Sequence, residues 1–570
     1  MNEPDDGSDP VDHLRSVLGN DVFNKFLWIA SFDGSMNLVL STVREPLPVD
    51  EFNDVMDALK ACPTVASVQL MYQEPDDLVG LEKAEDRMAG YDSSWYWPTS
   101  ERLPRSSYTA PAPIRIAQAD SGVSMQPCLI GGFDPAKSMS FFFPPGQREG
   151  KGVICWDHGA PYFIGHGTST AGLVIGQPAD GMKLYGMTVR DVVDLVPCRV
   201  ADSVLLAPPD LKRLAECIDW AVGEGIKVIT ISLGAIAAPQ DPALITLTKA
   251  VENAFKKGVI ICAAAGQIAP GMIWPGVYSL KGWLIACGPS KADNLPSAQS
   301  IWPGFQDGYV TIAAPGENMP RTGWKDDRCA TNIPELGVSE GSSYSTAYTA
   351  SVAALWWAYN YDALSNMDPR QIVPLFRNTL QKTCTPWNGK YNTSKFGPGI
   401  VDPNKAISSM KAPQDLKIDS SGSGHVERVS GGTYRNLTLH AHGSGSIHVI
   451  DPVFVEGKLT LISEASAAIN MSGTIICKEL EIKVKNSGRI NADDLEYYDK
   501  CHVDILHAGV LEAYIAAEGP MSGSVKGPEF FNGSTLRAWI HWRSGRKKVS
   551  ISKDWMSTVD ISNNWPGRWA

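Results

Sequence analysis

The chain has 570 residues, 44% of them hydrophobic and 20% charged, a globular composition that implies about three domains at ~100 to 200 residues each. A chain this long can bury a sizeable core. Its net charge of −12 leaves no basic footprint for nucleic acid or an anionic membrane surface, so both are excluded as expected partners.

The start, MNEPDDGSDPVDHL, is acidic and polar, without the basic start and apolar run of a secretory signal. No apolar stretch approaches the ~18 residues needed to span a bilayer. The 11 cysteines are scattered between Cys62 and Cys501 with no CxxC pair, which suits reduced thiols. A cytoplasmic location is expected; sequons at Asn392, Asn436, Asn470 and Asn532 would matter only on secretion.

In chain order, Phe26 to Phe32 and Asn37 to Val43 read as strands, Val49 to Cys62 as an amphipathic helix with Phe52, Val55, Met56 and Leu59 on one face, and Val65 to Tyr72 as a strand. Residues 1–77 thus form an α+β segment. Residues 78–110, with Trp95, Trp97 and several prolines, read as an extended connector.

Residues 111–411 read as an α/β domain. Ile114 to Ala119 is a buried parallel strand with Asp120 at its C-terminal end, where open sheets of this class place their sites. A helix opens near His166 and runs to Ile175, and another runs from Ser343 to Ala358 with Ala347, Ala350, Ala353 and Ala354 suited to close packing. Ser342 and Ser345 read as helix caps, and His158 is the rival imidazole to His166.

Residues 412–570 lose long helices and become rich in Gly, Ser and β-branched residues. Leu437-Thr438-Leu439, Leu459-Thr460-Leu461, Leu480-Glu481-Ile482 and Val503-Asp504-Ile505 open similar phrases. The first three run on to Ser446-Ile447, Ala468-Ile469 and Arg489-Ile490. A period of roughly 21 to 23 residues predicts a stacked β-solenoid, with a plain β-sandwich as the alternative. Trp539, Trp542, Trp555 and Trp565 are expected to cap it.

Three separated segments fit one apparatus: AQADSG around Asp120, GHGTSTAG around His166, and GSSYSTA around Ser343. A hydroxyl attacks a carbonyl at neutral pH only when an imidazole takes its proton and a carboxylate orients that imidazole. In this order the segments resemble the Asp, His and Ser boxes of the subtilisin-like serine proteases. AVGEGIKVITISLG, VENAFKKGVIICAAAGQ, IAAPG and FGPGIVDPNKA resemble further landmarks of that family, so the likeness covers Pro111 to Lys411.

The resemblance implies a subtilisin-like parallel sheet flanked by helices and an endopeptidase acting on a protein or peptide through an acyl-enzyme on Ser343. Ser232, Leu233, Gly234 and Ala264, Ala265, Gly266 would be the backbone edges that hold the peptide, with Ile273 flooring a shallow P1 pocket. Gln267 stands where the family carries an oxyanion Asn; its amide could reach the oxyanion or point elsewhere. The alternative function is a weak or silent fold that binds peptides or assembles partners through the C-terminal domain. Residues 51–75 resemble the second half of a subtilisin propeptide, and an unrelated α+β adaptor is the other reading. No cofactor and no metal are expected; structural calcium, used by many relatives, is not indicated by any Asp-rich loop of the EF-hand kind.

Overall fold

The computed structural model describes residues 26–31, 38–43, 58, 96–97, 101–142, 165–179, 183–188, 191–235, 242–266, 273–297, 309–324, 334–422, 424–429, 431–450, 452–526, 534–542, 549–553 and 557–562. The N-terminal strands β1 (Phe26–Ser31) and β2 (Leu38–Val43) pair antiparallel, Phe26 facing Val43 and Ser31 facing Leu38. The helix expected over Val49 to Cys62, apart from helical Ala58, and the strand expected over Val65 to Tyr72 lie outside the described residues.

Where the connector is described, it is bound to the domain that follows. Tyr96 and Trp97 are buried, and the Tyr96 hydroxyl donates to the Tyr185 carbonyl. Arg102 donates to the carbonyls of Trp97 and Gly186 and sits 5.0 Å over the Trp97 ring. Aromatic side chains in a Pro-rich stretch read as a spacer, yet each carries enough apolar area to bind a core.

Seven parallel strands form the central sheet: β3 (Ile114–Asp120), β4 (Met139–Ser140), β5 (Val193–Arg199), β6 (Val228–Ile231), β7 (Ile260–Ala264), β8 (Ile285–Ser290) and β9 (Ile312–Pro315), in the order β4-β5-β3-β6-β7-β8-β9. β6 and β7 are buried along their whole length, as expected for continuous apolar strands covered on both faces. Helix α1 spans His166–Ile175. The helices α2 (Pro208–Gly223) and α3 (Pro242–Lys256) each bury one apolar stripe, in α2 Leu211, Leu214, Ala215, Ile218 and Ala221. Helix α4 (Ser342–Tyr359) is buried almost all round and packs against β3, β6, β7, β8 and β9; its small alanines permit that close approach. Helix α5 (Pro369–Thr383) follows.

From Gln414 onward the described structure is all-β, and every strand pairing is parallel, which rules out the antiparallel sandwich. Leu437 pairs with Leu459, and Leu459 with Leu480, in the predicted register. Ser446, Ala468 and Arg489 are likewise aligned. The fourth phrase is shifted: Leu480 faces Cys501, while Val503 faces Ile482. A slip of two residues keeps every inward side chain inward, so hydrophobic alternation alone cannot distinguish the registers.

The strand Thr535–Trp542 is a further rung, paired with Val510–Ala517 on one side and Thr558–Ser562 on the other. The backbone of Trp539 and Trp542 therefore belongs to the stack and not to a terminal cap, while Trp555 and Trp565 lie outside the described residues. Phe454 and Ile476 of this region belong to the same hydrophobic cluster as the α/β domain.

Candidate active site

Asp120 ends β3 and is almost fully buried, so its charge must be met by hydrogen bonds. The Ser121 N–H donates to its Oδ1 at 2.8 Å and the Thr170 hydroxyl to its Oδ2 at 3.3 Å. His166 is the first residue of α1, after Gly165 at a φ of 73°. The helix is drawn onto the turn after β3, where the Gly167 N–H donates to Ser121 Oγ at 3.1 Å and Gln118 Nε2 donates to the Gly167 carbonyl at 2.7 Å. A Cβ on Gly167 would lie 2.0 Å from the Gly122 carbonyl oxygen, so the glycine after the histidine is required for this approach.

Ser343 is the second residue of α4, which starts at Gly341 with a φ of 139°. The Gly341 N–H donates to the Gly316 carbonyl at 2.7 Å, and Ser345 Oγ donates to the Ala314 carbonyl at 2.9 Å. Ser345 thus anchors the helix to the IAAPG segment and does not cap it; Ser342 is inside the helix, whose Gly341 cap makes no side-chain bond. The buried Tyr348 donates to the Tyr96 carbonyl at 3.2 Å.

These elements bring the three side chains together. His166 Nδ1 lies 2.7 Å from Asp120 Oδ1, and Nε2 lies 3.0 Å from Ser343 Oγ. With Nδ1–H donated to the carboxylate, Nε2 presents its lone pair to the serine hydroxyl, the arrangement a general base needs. The same hydroxyl lies 3.1 Å from the Ser232 carbonyl, a second acceptor for its one proton. Ser343 stands in the first turn of α4, and the N-terminal end of a helix favours developing negative charge.

Ser232 Oγ donates to the Ser343 carbonyl at 3.0 Å, tying the edge Ser232, Leu233, Gly234 to α4. The second edge, Ala264, Ala265, Gly266, leaves β7 with Gly266 at a φ of 92°. Ile273 is buried between the two edges. A Cβ on Gly234 would stand 2.1 Å from Ile273 Cγ2, and one on Gly266 2.4 Å from Ile273 Cγ1. The Tyr309 hydroxyl accepts from the Ile273 N–H at 3.2 Å and donates to the Ala265 carbonyl at 2.9 Å, and burial raises its ionisation well above the usual tyrosine range.

Gln267 and His158 lie outside the described residues. Gln118, Ser121, Thr170 and Tyr309 support the site without a sequence signal of their own, the first three lying within the Asp120 and His166 boxes. Among the described residues, the group able to hold a metal ion is Asp419, His440 and His442, in the C-terminal region.

Residues 119–399 match the Subtilase family, and residues 399–528 match a family described as an auto-transporter adhesin, head GIN domain. M-protease of Shouchella clausii (strain KSM-K16) is 26% identical over 296 residues, 51% of this chain and 64% of that protein. The subtilisin-like protease het-Q2 of Podospora anserina is 28% identical over 218 residues, 38% of this chain and 54% of that protein. The chain therefore spans less than two thirds of either relative. A solved protease from Pseudoalteromonas arctica superposes with a TM-score of 0.45 at 19% identity, covering 56% of this chain and 98% of that one. Over residues 119–399, the chain carries a domain of the subtilase family.

Proposed function

We propose that the chain is a serine endopeptidase that cleaves a protein or peptide substrate through an acyl-enzyme on Ser343. The observation that carries this reading is the relay from Asp120 through His166 to Ser343, at 2.7 and 3.0 Å. His166 takes the Ser343 proton as Oγ attacks the carbonyl and returns it to the leaving amine; Asp120 holds the tautomer and stabilises the imidazolium. The oxyanion is assigned to the N-terminal N–H groups of α4 together with the Gln267 amide. The P1 side chain enters between Gly234 and Gly266, where Ile273 limits depth, so small or modest apolar residues are preferred. In the absence of substrate the Ser343 hydroxyl can rest on the Ser232 carbonyl, which a bound peptide's P1 N–H would claim.

The test is covalent labelling of the full chain with a fluorophosphonate, using Ser343→Ala as control. Labelling of the parent chain and not of Ser343→Ala is expected; a parent chain that stays unlabelled while folded would instead favour the silent peptide-binding reading.

A further inference from the structure

The edge that would hold the peptide is already partly occupied by the chain itself. Along an extended segment, backbone groups of residues i and i+2 face the same side. The Ser232 carbonyl faces Ser343 Oγ, so the N–H and carbonyl of Gly234 face the same groove, two residues farther along. Both are taken: the Gly234 N–H donates to the Val204 carbonyl at 3.0 Å, and the Leu206 N–H donates to the Gly234 carbonyl at 2.9 Å. Leu205 thereby forms a parallel bridge with Gly234, in the place an added strand would use.

The occupying segment is anchored. Val204 and Leu206 are buried in the hydrophobic core of the domain, and the Leu205 N–H donates to Ser203 Oγ at 3.2 Å. Directly after it, the Ala207 N–H donates to Asp210 Oδ2 at 3.0 Å, fixing the chain to the start of α2. Beyond Gly234, Ala235 exchanges both backbone hydrogen bonds with Trp274 at 2.9 Å, so the edge is paired there as well.

A peptide whose P1 N–H meets the Ser232 carbonyl, and which runs along this edge one residue per residue, would bring P3 opposite Gly234. We infer that the segment Val204–Leu206 closes this position and restricts the site to substrates recognised through at most two residues, P1 and P2, on the acyl side. The inference rests on the peptidase reading of Ser343. Peptide beyond P2 must turn out of the groove, so preferred substrates are cleaved in turns or near a free N-terminus and not within a long extended strand.

The experiment is protection of Ser343 from fluorophosphonate labelling by N-acetylated alanine aldehydes of one, two, three and four residues. The serine hydroxyl adds reversibly across the aldehyde, its proton passing to the former carbonyl oxygen, and nothing leaves. Protection should strengthen from one residue to two and then change by no more than about twofold. The acetyl carbonyl of the two-residue aldehyde already stands in the P3 carbonyl position, so the step to three residues adds the one bond of the P3 N–H, worth on the order of fivefold, and a rise of that size from two residues to three overturns the inference while leaving the peptidase reading intact. Protection by no aldehyde overturns the inference also. Absence of labelling overturns the peptidase reading and the inference with it. In a Val204→Ser/Leu206→Ser variant that still labels, loosening the anchors should restore a rise of about fivefold from two residues to three; a flat profile there counts against the segment as the cause.

Discussion

In the proposed peptidase Asp120, His166 and Ser343 would act as a unit, so single substitutions should be as damaging as combined ones. Asp120→Asn should lower kcat by about 10⁴-fold and His166→Ala and Ser343→Ala by at least as much, each with an unchanged thermal midpoint. Steady-state hydrolysis of a peptide substrate measures this, and a double variant much worse than either single one would show the three groups to be independent. Ile273 makes a different prediction. Since its side chain fills the space between Gly234 and Gly266, Ile273→Ala should raise the ratio of kcat/KM for large over small P1 residues by ~10- to 200-fold, read from a P1 library. Gln267→Ala should lower kcat by ~10²-fold with KM little changed if the amide donates to the oxyanion; an unaltered kcat would remove it from the site. That Asp120, His166 and Ser343 converge could be read from the three boxes because each box encodes its own local constraint, the Gly167 approach to Gly122 among them. Tyr309 could not, since its link between Ala265 and Ile273 joins positions distant in the chain.

Among the elements, the stretch from Tyr96 to Ala110 departs most from its sequence reading. A Pro- and Trp-rich connector lacks helical or strand periodicity, so its contribution to the core is invisible until Tyr348 and the backbone at Gly186 and Ala358 are brought against it. Arg102→Ala leaves two carbonyls short of a charged donor and strips the packing over Trp97. It should cost about 2 to 4 kcal/mol of stability, measured by denaturant unfolding, with the triad geometry unaffected. A loss below 0.5 kcal/mol would show that this clamp contributes nothing. The register of Cys501 against Leu480 was hidden for a related reason: side-chain alternation has a period of two, and a slip of two satisfies it equally well.

At the scale of the molecule, the β-region and the α/β domain are joined by shared apolar packing and ion pairs. Phe454 and Ile476 enter the α/β core, Lys281 pairs with Asp494 at 3.3 Å, and Glu518 meets Arg370 at 2.6 Å and Lys256 at 3.2 Å. Removal of Asp415 to Ala570 would bare that apolar surface, so the α/β domain alone should be less stable than in the full chain. Glu496 lies beside the junction, where burial, with Asp494 and Glu518 adding to it and Lys256 and Lys281 opposing, lifts its carboxyl to about 7. An acid raised in the folded state keeps a proton that the unfolded chain has already lost. The contribution of Glu496 to stability is therefore fully present below about pH 4.5 and is lost as pH rises from about 4.5 through about 7. The full chain should lose a few degrees of Tm between pH 5 and pH 8 that Glu496→Gln does not lose, by calorimetry; equal slopes in the two proteins would rule this group out.

The amino-acid sequence by itself determined the α/β domain, the identity and order of Asp120, His166 and Ser343, and the parallel repeat of Leu437, Leu459 and Leu480. Each is encoded locally: glycines demanded by a close approach or a positive φ, apolar runs demanded by burial on both faces, and a period set by the spacing of successive parallel strands. Tertiary structure alone decided that Ile273 fills the space between two glycines, that Val204 to Leu206 pairs with the edge at Gly234, and that Phe454 and Ile476 join the core of another domain. Those contacts unite segments far apart in the chain, and hydrophobicity records that a residue is buried without recording against what.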